Sequence, residues 1–151
     1  MATGKLIPTR SGNLLTTNQF DSITSGNYAI GPAIDLTNNP LEAALELNIT
    51  PGTVSGDKIV YVYLKASVVN SSSGFTSGPE SGTSTINEAN LYYLGPLYCN
   101  TNSQLSSYIF SIKQAIGFIP LWYKPIIKNS TGATLGTGNT AHSITWLADI
   151  V

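Results

Sequence analysis

The feature that most limits the fold of this chain is a repeat of two in its apolar residues. In LEAALELNI, residues 41–49, Leu41, Ala43, Leu45, Leu47 and Ile49 fall on one side of an extended backbone, and Glu42, Ala44, Glu46 and Asn48 on the other. Successive side chains of a strand point to opposite faces, so the alternation describes a strand with one face in a core. Leu, Glu and Ala are also good helix formers, which leaves a helical reading open, but strict alternation and the Pro51-Gly52 stop favour the strand. KIVYVYLKASV, residues 58–68, sets Val60, Val62, Leu64 and Ala66 against Ile59, Tyr61, Tyr63 and Lys65, in β-branched and aromatic residues that suit a pleated surface. It reads as a strand buried on one face and half covered on the other.

Applied along the chain, the same test gives about eight strands, near Leu14–Phe20, Asn27–Ile30, Leu41–Ile49, Lys58–Ser67, Leu91–Tyr98, Ser106–Lys113, Pro120–Asn129 and Ser143–Ile150, with no convincing helix. The last of these puts Ile144, Trp146, Ala148 and Ile150 on one face. Gly95-Pro96 implies a bulge or an edge position, because proline cannot donate to a ladder. The densest apolar run begins at Ile119: Leu121, Tyr123, Pro125 and Ile127 share one face, and Trp122, Lys124, Ile126 and Lys128 the other. This is either a core strand marked as an edge by its proline or an exposed recognition face, and Asn129 to Gly132 form its exit turn. Residues 70–90 hold only Phe75 and Ile86 as sizeable apolar groups and are expected to be a long loop or mobile flap. The expected fold is all-β, a single jelly-roll-like sandwich of antiparallel strands. Residues 1–20 form an extended N-terminal arm containing a possible first strand, and 21–151 the sandwich domain.

At 151 residues one domain is the natural size, and only 10% of them are charged, with a net charge of −1. No basic cluster exists beyond the well-spaced Lys113, Lys124 and Lys128, so neither nucleic acid nor an anionic membrane is an expected partner. The single Cys99 cannot form an internal disulfide, and MATGKLIPTR has no secretory pattern, which points to a reducing compartment. Asn48, Asn70 and Asn129 match the glycosylation tripeptide, as chance allows in a chain so rich in Ser and Thr.

Catalytic chemistry finds little support. His142 sits beside Ser143 with no acid fixed near it, and one His with one distant Cys offers no zinc spacing. Glu42 and Glu46 share a strand face, as a glycosidase pair would, but a solvated sheet face explains them equally. Asp35, Asn38, Asn39 and Glu42 could ligate calcium, although Asn-Asn-Pro is an ordinary turn. GATLGTG has glycines at 132, 136 and 138 but no Walker-type lysine, and reads as a β-hairpin connection. No enzyme, cofactor or metal is expected. The aromatic set Tyr92, Tyr93, Tyr98, Tyr108, Trp122, Tyr123 and Trp146 could stack sugars or a partner chain, with about half of it expected in the core. The candidate interface residues are Leu6, Ile7, Leu14, Leu15, Tyr92, Tyr93 and Trp122.

The order of segments resembles small virion structural proteins of tailed bacteriophages, among them jelly-roll head decoration (cement) proteins. The phrases that carry the likeness are YAIGPAIDLTNNPLEAALELNIT, VYVYLKASV, YYLGPL, FSIKQAIGFIP and LWYKPIIKNSTGATLGTGNTAHSITWL, which together run from Tyr28 onward. The resemblance implies a non-enzymatic homo-oligomer, a trimer or other symmetric unit, on the capsid surface. It would be assembled in the host cytoplasm and lock neighbouring copies of the major capsid protein. It carries over no active-site residue. A tail, neck or fibre host-attachment module is the alternative within that class, and a carbohydrate-binding β-sandwich the alternative outside it.

Overall fold

The structure, a computed structural model, describes residues 6–16 and 18–147. Residues 1–5 of the expected arm, and Ala148 and Ile150 of the expected last strand, lie outside the described residues. The elements are β1 (Ile7–Arg10), β2 (Tyr28–Ile30), β3 (Ile34–Asp35), β4 (Glu42–Ile49), β5 (Ile59–Ser67), β6 (Tyr92–Tyr98), β7 (Ser106–Ser111), α1 (Ile112–Ile116), β8 (Trp122–Ser130) and β9 (Thr140–Leu147). They build two antiparallel sheets. Sheet A has the order β1-β9-β4-β7, and sheet B the order β2-β8-β5-β6, with β3 also paired to β8.

The pairings are nested: β5 with β6, β4 with β7, β2 and β3 with β8, β1 with β9. A long antiparallel ribbon is thus folded over, its inner pair in sheet B and its next pair in sheet A. This is the winding of a jelly roll. The chain is an all-β sandwich, with nine strands among the described residues where about eight were expected.

The alternations in β4 and β5 set the core. Ala43, Leu45, Leu47 and Ile49 from β4, and Val60, Val62 and Leu64 from β5, are fully buried between the sheets, joined by Tyr123 and Ile127 of β8. Leu41 lies outside β4 and is half exposed. A second, smaller cluster of Tyr28, Tyr63, Leu91 and Ile126 lies on the outer face of sheet B.

Four local expectations change. First, β8 is not an edge: it pairs β5 on one side and β2 and β3 on the other. Pro125 is tolerated because its carbonyl accepts from Gly31 N at 2.8 Å, which puts its missing N–H on the same side, opposite the break between β2 and β3. Second, in the expected strand Leu14–Phe20 the described residues, 14–16 and 18–20, are not extended in a ladder, and Thr17 lies outside the described residues. Asn13 Oδ1 accepts from Leu15 N, Gln19 Oε1 accepts from Thr16 N, and a turn at Asn18 (φ 58°) follows, so side chains hold the backbone groups a ladder would use. The first strand is β1 instead. Third, residues 131–139 do not close a hairpin, because β8 and β9 lie in different sheets; they cross between layers, held by buried Asn129 and Asn139. Asn129 Nδ2 donates to Ile23 O and Ala133 O, both at 2.7 Å, and Asn139 Nδ2 donates to Phe20 O at 2.8 Å.

Fourth, the segment after Ser107 is a strand that ends in a helix. Ser111 Oγ caps α1 by accepting from Gln114 N at 3.2 Å, and Gly117 (φ 86°) ends it with its N–H on Lys113 O.

Residues 70–90, expected to be a long loop or mobile flap, are laid along the outer face of sheet B. Gly82 bridges Tyr28, Pro79 and Leu91 are buried, Lys65 Nζ donates to Glu80 Oε1 at 2.6 Å, and Lys128 Nζ to Glu88 Oε2 at 3.1 Å. Phe75 lies under Lys124 Nζ, 4.7 Å from its ring centre. The sheet supplies the apolar partners that the segment lacks in its own sequence.

Candidate interaction site

A sandwich leaves two open sides, where the edge of one sheet meets the edge of the other. On one side β1 lies near β3. The gap of about 300 Å³ between them is lined by Leu14, Ala33 and Ile34 together with polar residues such as Thr9, Asp35 and Ser143. On the other side β6 and β7 border a groove of about 350 Å³ lined by Leu94, Gly95, Pro96, Leu97, Tyr98, Tyr108 and Phe110.

The second opening carries the apolar surface. Tyr98 and Tyr108 line it and are 59% and 57% exposed, and Leu105 and Ile109, just before and within the edge strand β7, are 61% and 53% exposed. Tyr108 stacks on Phe110 at 4.8 Å between ring centres, which holds the phenol at the rim of the groove. Gly95 (φ 147°) lies under Phe110, where a Cβ would come within 3.2 Å of the ring, so the glycine lets the edges approach.

Register explains which aromatics face outward. β6 slips against β5 between Val62 and Tyr63, where Gly95 faces Val62 but Tyr93 faces Tyr63, leaving Leu94 as the extra residue of a bulge. Tyr92 therefore turns toward the core, edge-on to Phe118 at 5.9 Å, while Tyr93 points out, 47% exposed and 5.3 Å from the Tyr63 ring.

The other candidates are scattered. Leu6 and Ile7 are about half exposed at the β1 edge, with Ile7 in register with the exposed Leu147. Leu14 packs partly against the core, and Leu15, at 8% exposure, belongs to it, so it cannot serve as a contact residue. Trp122 is half-buried on the outer face of sheet B, opposite Ser67 and Asp35, with its indole N–H buried. Trp146, also half-buried, lies in sheet A, so the two indoles form no flat platform. Sequence reasoning assigned no contact role to Leu105 or Ile109. The signal was an uncharged SSYIFS strand directly after a Leu.

His142, Glu46, Glu42 and Asp35, all singled out in the sequence, have structural partners. His142 is buried, Nδ1 at 3.1 Å from Ser11 O and Nε2 at 3.2 Å from Thr140 Oγ1. Glu46 receives both Nε and Nη2 of Arg10, at 2.7 and 2.8 Å, and the guanidinium holds its carboxyl down at about 2. Glu42 accepts from Ser111 Oγ at 3.2 Å, and Asp35 from Thr37 N at 2.7 Å. Asp35 is lowered by those Thr37 bonds. Among the described residues no three His, Cys, Asp or Glu side chains gather as a metal would need, and no helix is long and apolar enough to cross a membrane. No protein-family model matches the chain, and no curated protein matches it closely enough to count as a relative.

Proposed function

We propose that this chain is a non-enzymatic structural protein of a tailed-bacteriophage virion, a decoration or cement protein that sits on the capsid surface and stabilises the lattice of the major capsid protein. The observation that carries the reading is the jelly-roll winding with an open, uncharged apolar side at β6 and β7. Such a surface works by contact, and the sequence likeness to phage head proteins gives the contact its setting. Fold alone does not assign function, so the setting rests on that likeness. Its partners in this reading are the major capsid protein and other copies of itself.

The test is a copy-number inventory of the particle that contains the chain, by quantitative mass spectrometry with low-resolution imaging. Hundreds of copies spread over the shell fit cement. A few copies at one vertex move the protein to the tail, neck or fibre, and absence from every particle overturns the virion reading.

A further inference from the structure

We infer that the β7 edge of sheet A is a self-pairing surface whose occupant is the β7 edge of a second copy, giving a two-fold dimer with a continuous eight-stranded sheet. The inference stands apart from the virion reading, since it rests on the edges alone.

Each sheet has two edges, and an unpaired edge strand invites another chain unless it is short, broken, charged or covered. Three of the four are guarded. β1 is four residues long and contains Pro8 and Arg10. The β2–β3 edge is broken into pieces of three and two residues, and Tyr28 N is already taken by Gly82 O at 2.8 Å. β6 carries Gly95, Pro96 and a bulge. β7 has none of these devices. Its six residues, SSYIFS, hold no Pro, no Gly and no charge, and among the described residues it pairs with β4 on one side only.

The occupant follows from the chemistry of that strand. A neutral edge pairs best with a neutral edge, and β7 meeting its own copy places no charge opposite a charge. Pairing about a two-fold axis is antiparallel, and opposed residues must share a sheet face. A register centred on Ile109 sets Ile109 against its copy, Tyr108 against Phe110, and Ser107 against Ser111. Every opposed pair is uncharged. Tyr98, Leu105, Tyr108 and Ile109 at their 53–61% exposure offer on the order of 400 Å² per copy, half of the roughly 800 Å² per partner in a standard interface. Edge backbone and the groove walls add to it. A strand paired with its own copy is closed after two chains, so the contact replaces the expected three-fold with a two-fold.

The experiment uses the full chain in analytical ultracentrifugation across a wide concentration range. The expected mass at high concentration is twice the 16.0 kDa of one chain. Ile109→Lys puts two ammonium groups face to face at the centre and is expected to weaken dimerisation at least ~100-fold, whereas Ile7→Lys on the β1 edge leaves it unchanged. Should Ile109→Lys fail to fold, hydrogen exchange on the unaltered protein decides: amides of residues 106–111 are expected to gain protection as concentration rises. A monomer at all concentrations, a trimer, a dimer indifferent to Ile109→Lys, or concentration-independent exchange in β7 would each overturn the inference.

Discussion

Replacing Glu80 by Gln tests how the segment 68–91 is fixed to sheet B. Lys65 of β5 stands directly opposite Lys124 of β8, an arrangement that is unfavourable by itself. Lys65 is only 5% exposed, and its charge is met by Glu80 at 2.6 Å, while Lys124 turns to the Phe75 ring. Glu80→Gln keeps an acceptor but leaves a buried ammonium beside another lysine. Removing one partner of a fully buried pair costs ~3–5 kcal/mol. The Glu80 side chain is 50% exposed, so water replaces part of what it supplied, and about 2 kcal/mol is the expected loss. For a chain of this size that lowers the melting temperature by about 4–8 °C. The assay is thermal and denaturant unfolding followed by circular dichroism. Lys65→Met removes the charge and the opposition together, so it should be close to neutral alone and should recover most of the loss when added to Glu80→Gln. A Glu80→Gln protein within about 0.5 kcal/mol of the parent, or a double variant no better than Glu80→Gln, would refute the reasoning.

Glu46 should give the protein an acid-sensitive step. Its folded-state pKa is depressed from 4.5 to about 2, so the stability it contributes is full above about 4.5 and is lost as pH falls toward 2; the melting temperature should drop more steeply there in the parent than in Glu46→Gln, and parallel slopes would exclude the Arg10 pair as the cause. Asn139→Ala removes the acceptor of Thr50 N and the donor to Phe20 O and Gly136 O, all in a buried site, and should cost about 3 kcal/mol in denaturant unfolding, with a loss below about 1 kcal/mol counting against it. Cys99 is fully buried and burial pushes its thiol pKa up, so a thiol reagent at mild alkaline pH should label it only on unfolding; rapid labelling of the native protein would contradict this.

What could be read in the sequence was whatever local pattern controls. β4 and β5 were legible because each has one face in a single core, which a period of two records directly. The bulge in β6 was legible in Gly95-Pro96, but its consequence was not: a one-residue slip exchanges faces, and it sent Tyr92 inward where Tyr93 points out. Pro125 was misplaced because the rule for proline concerns one strand, while its tolerance depends on the break between two others. The helix α1 left a local signal in Ser111 and Gln114, three residues apart as in a capping box, that the apolar alternation of the preceding strand concealed. Segment 70–90 looked loose because its anchors, Lys65, Lys124 and Lys128, lie on other strands. The contact residues at β7 were missed for a related reason. Which strand is an edge is a property of the pairing order, and no window of sequence contains it.

The placement of the few charges bears on how any contact of this protein must behave. Arg10 is matched by Glu46, Lys65 by Glu80 and Lys128 by Glu88, so among the described residues three basic side chains are neutralised within the chain. The outer face of sheet B is partly covered by the chain's own segment, and the side at β6 and β7 carries apolar and hydroxyl groups. Long-range steering therefore has little to act on, and association at that side must come from backbone pairing and apolar burial, whose strength varies weakly with ionic strength in the range where charge pairs are screened. Dimerisation through β7 should keep its dissociation constant within about threefold between roughly 0.05 and 0.5 M sodium chloride, since the Debye length shrinks over that range from above 10 Å to below 5 Å without touching an uncharged strand. A dissociation constant that rose tenfold or more with salt would mean that charge carries the contact, and would move it away from β7 to a surface bearing Lys113 or the acidic residues.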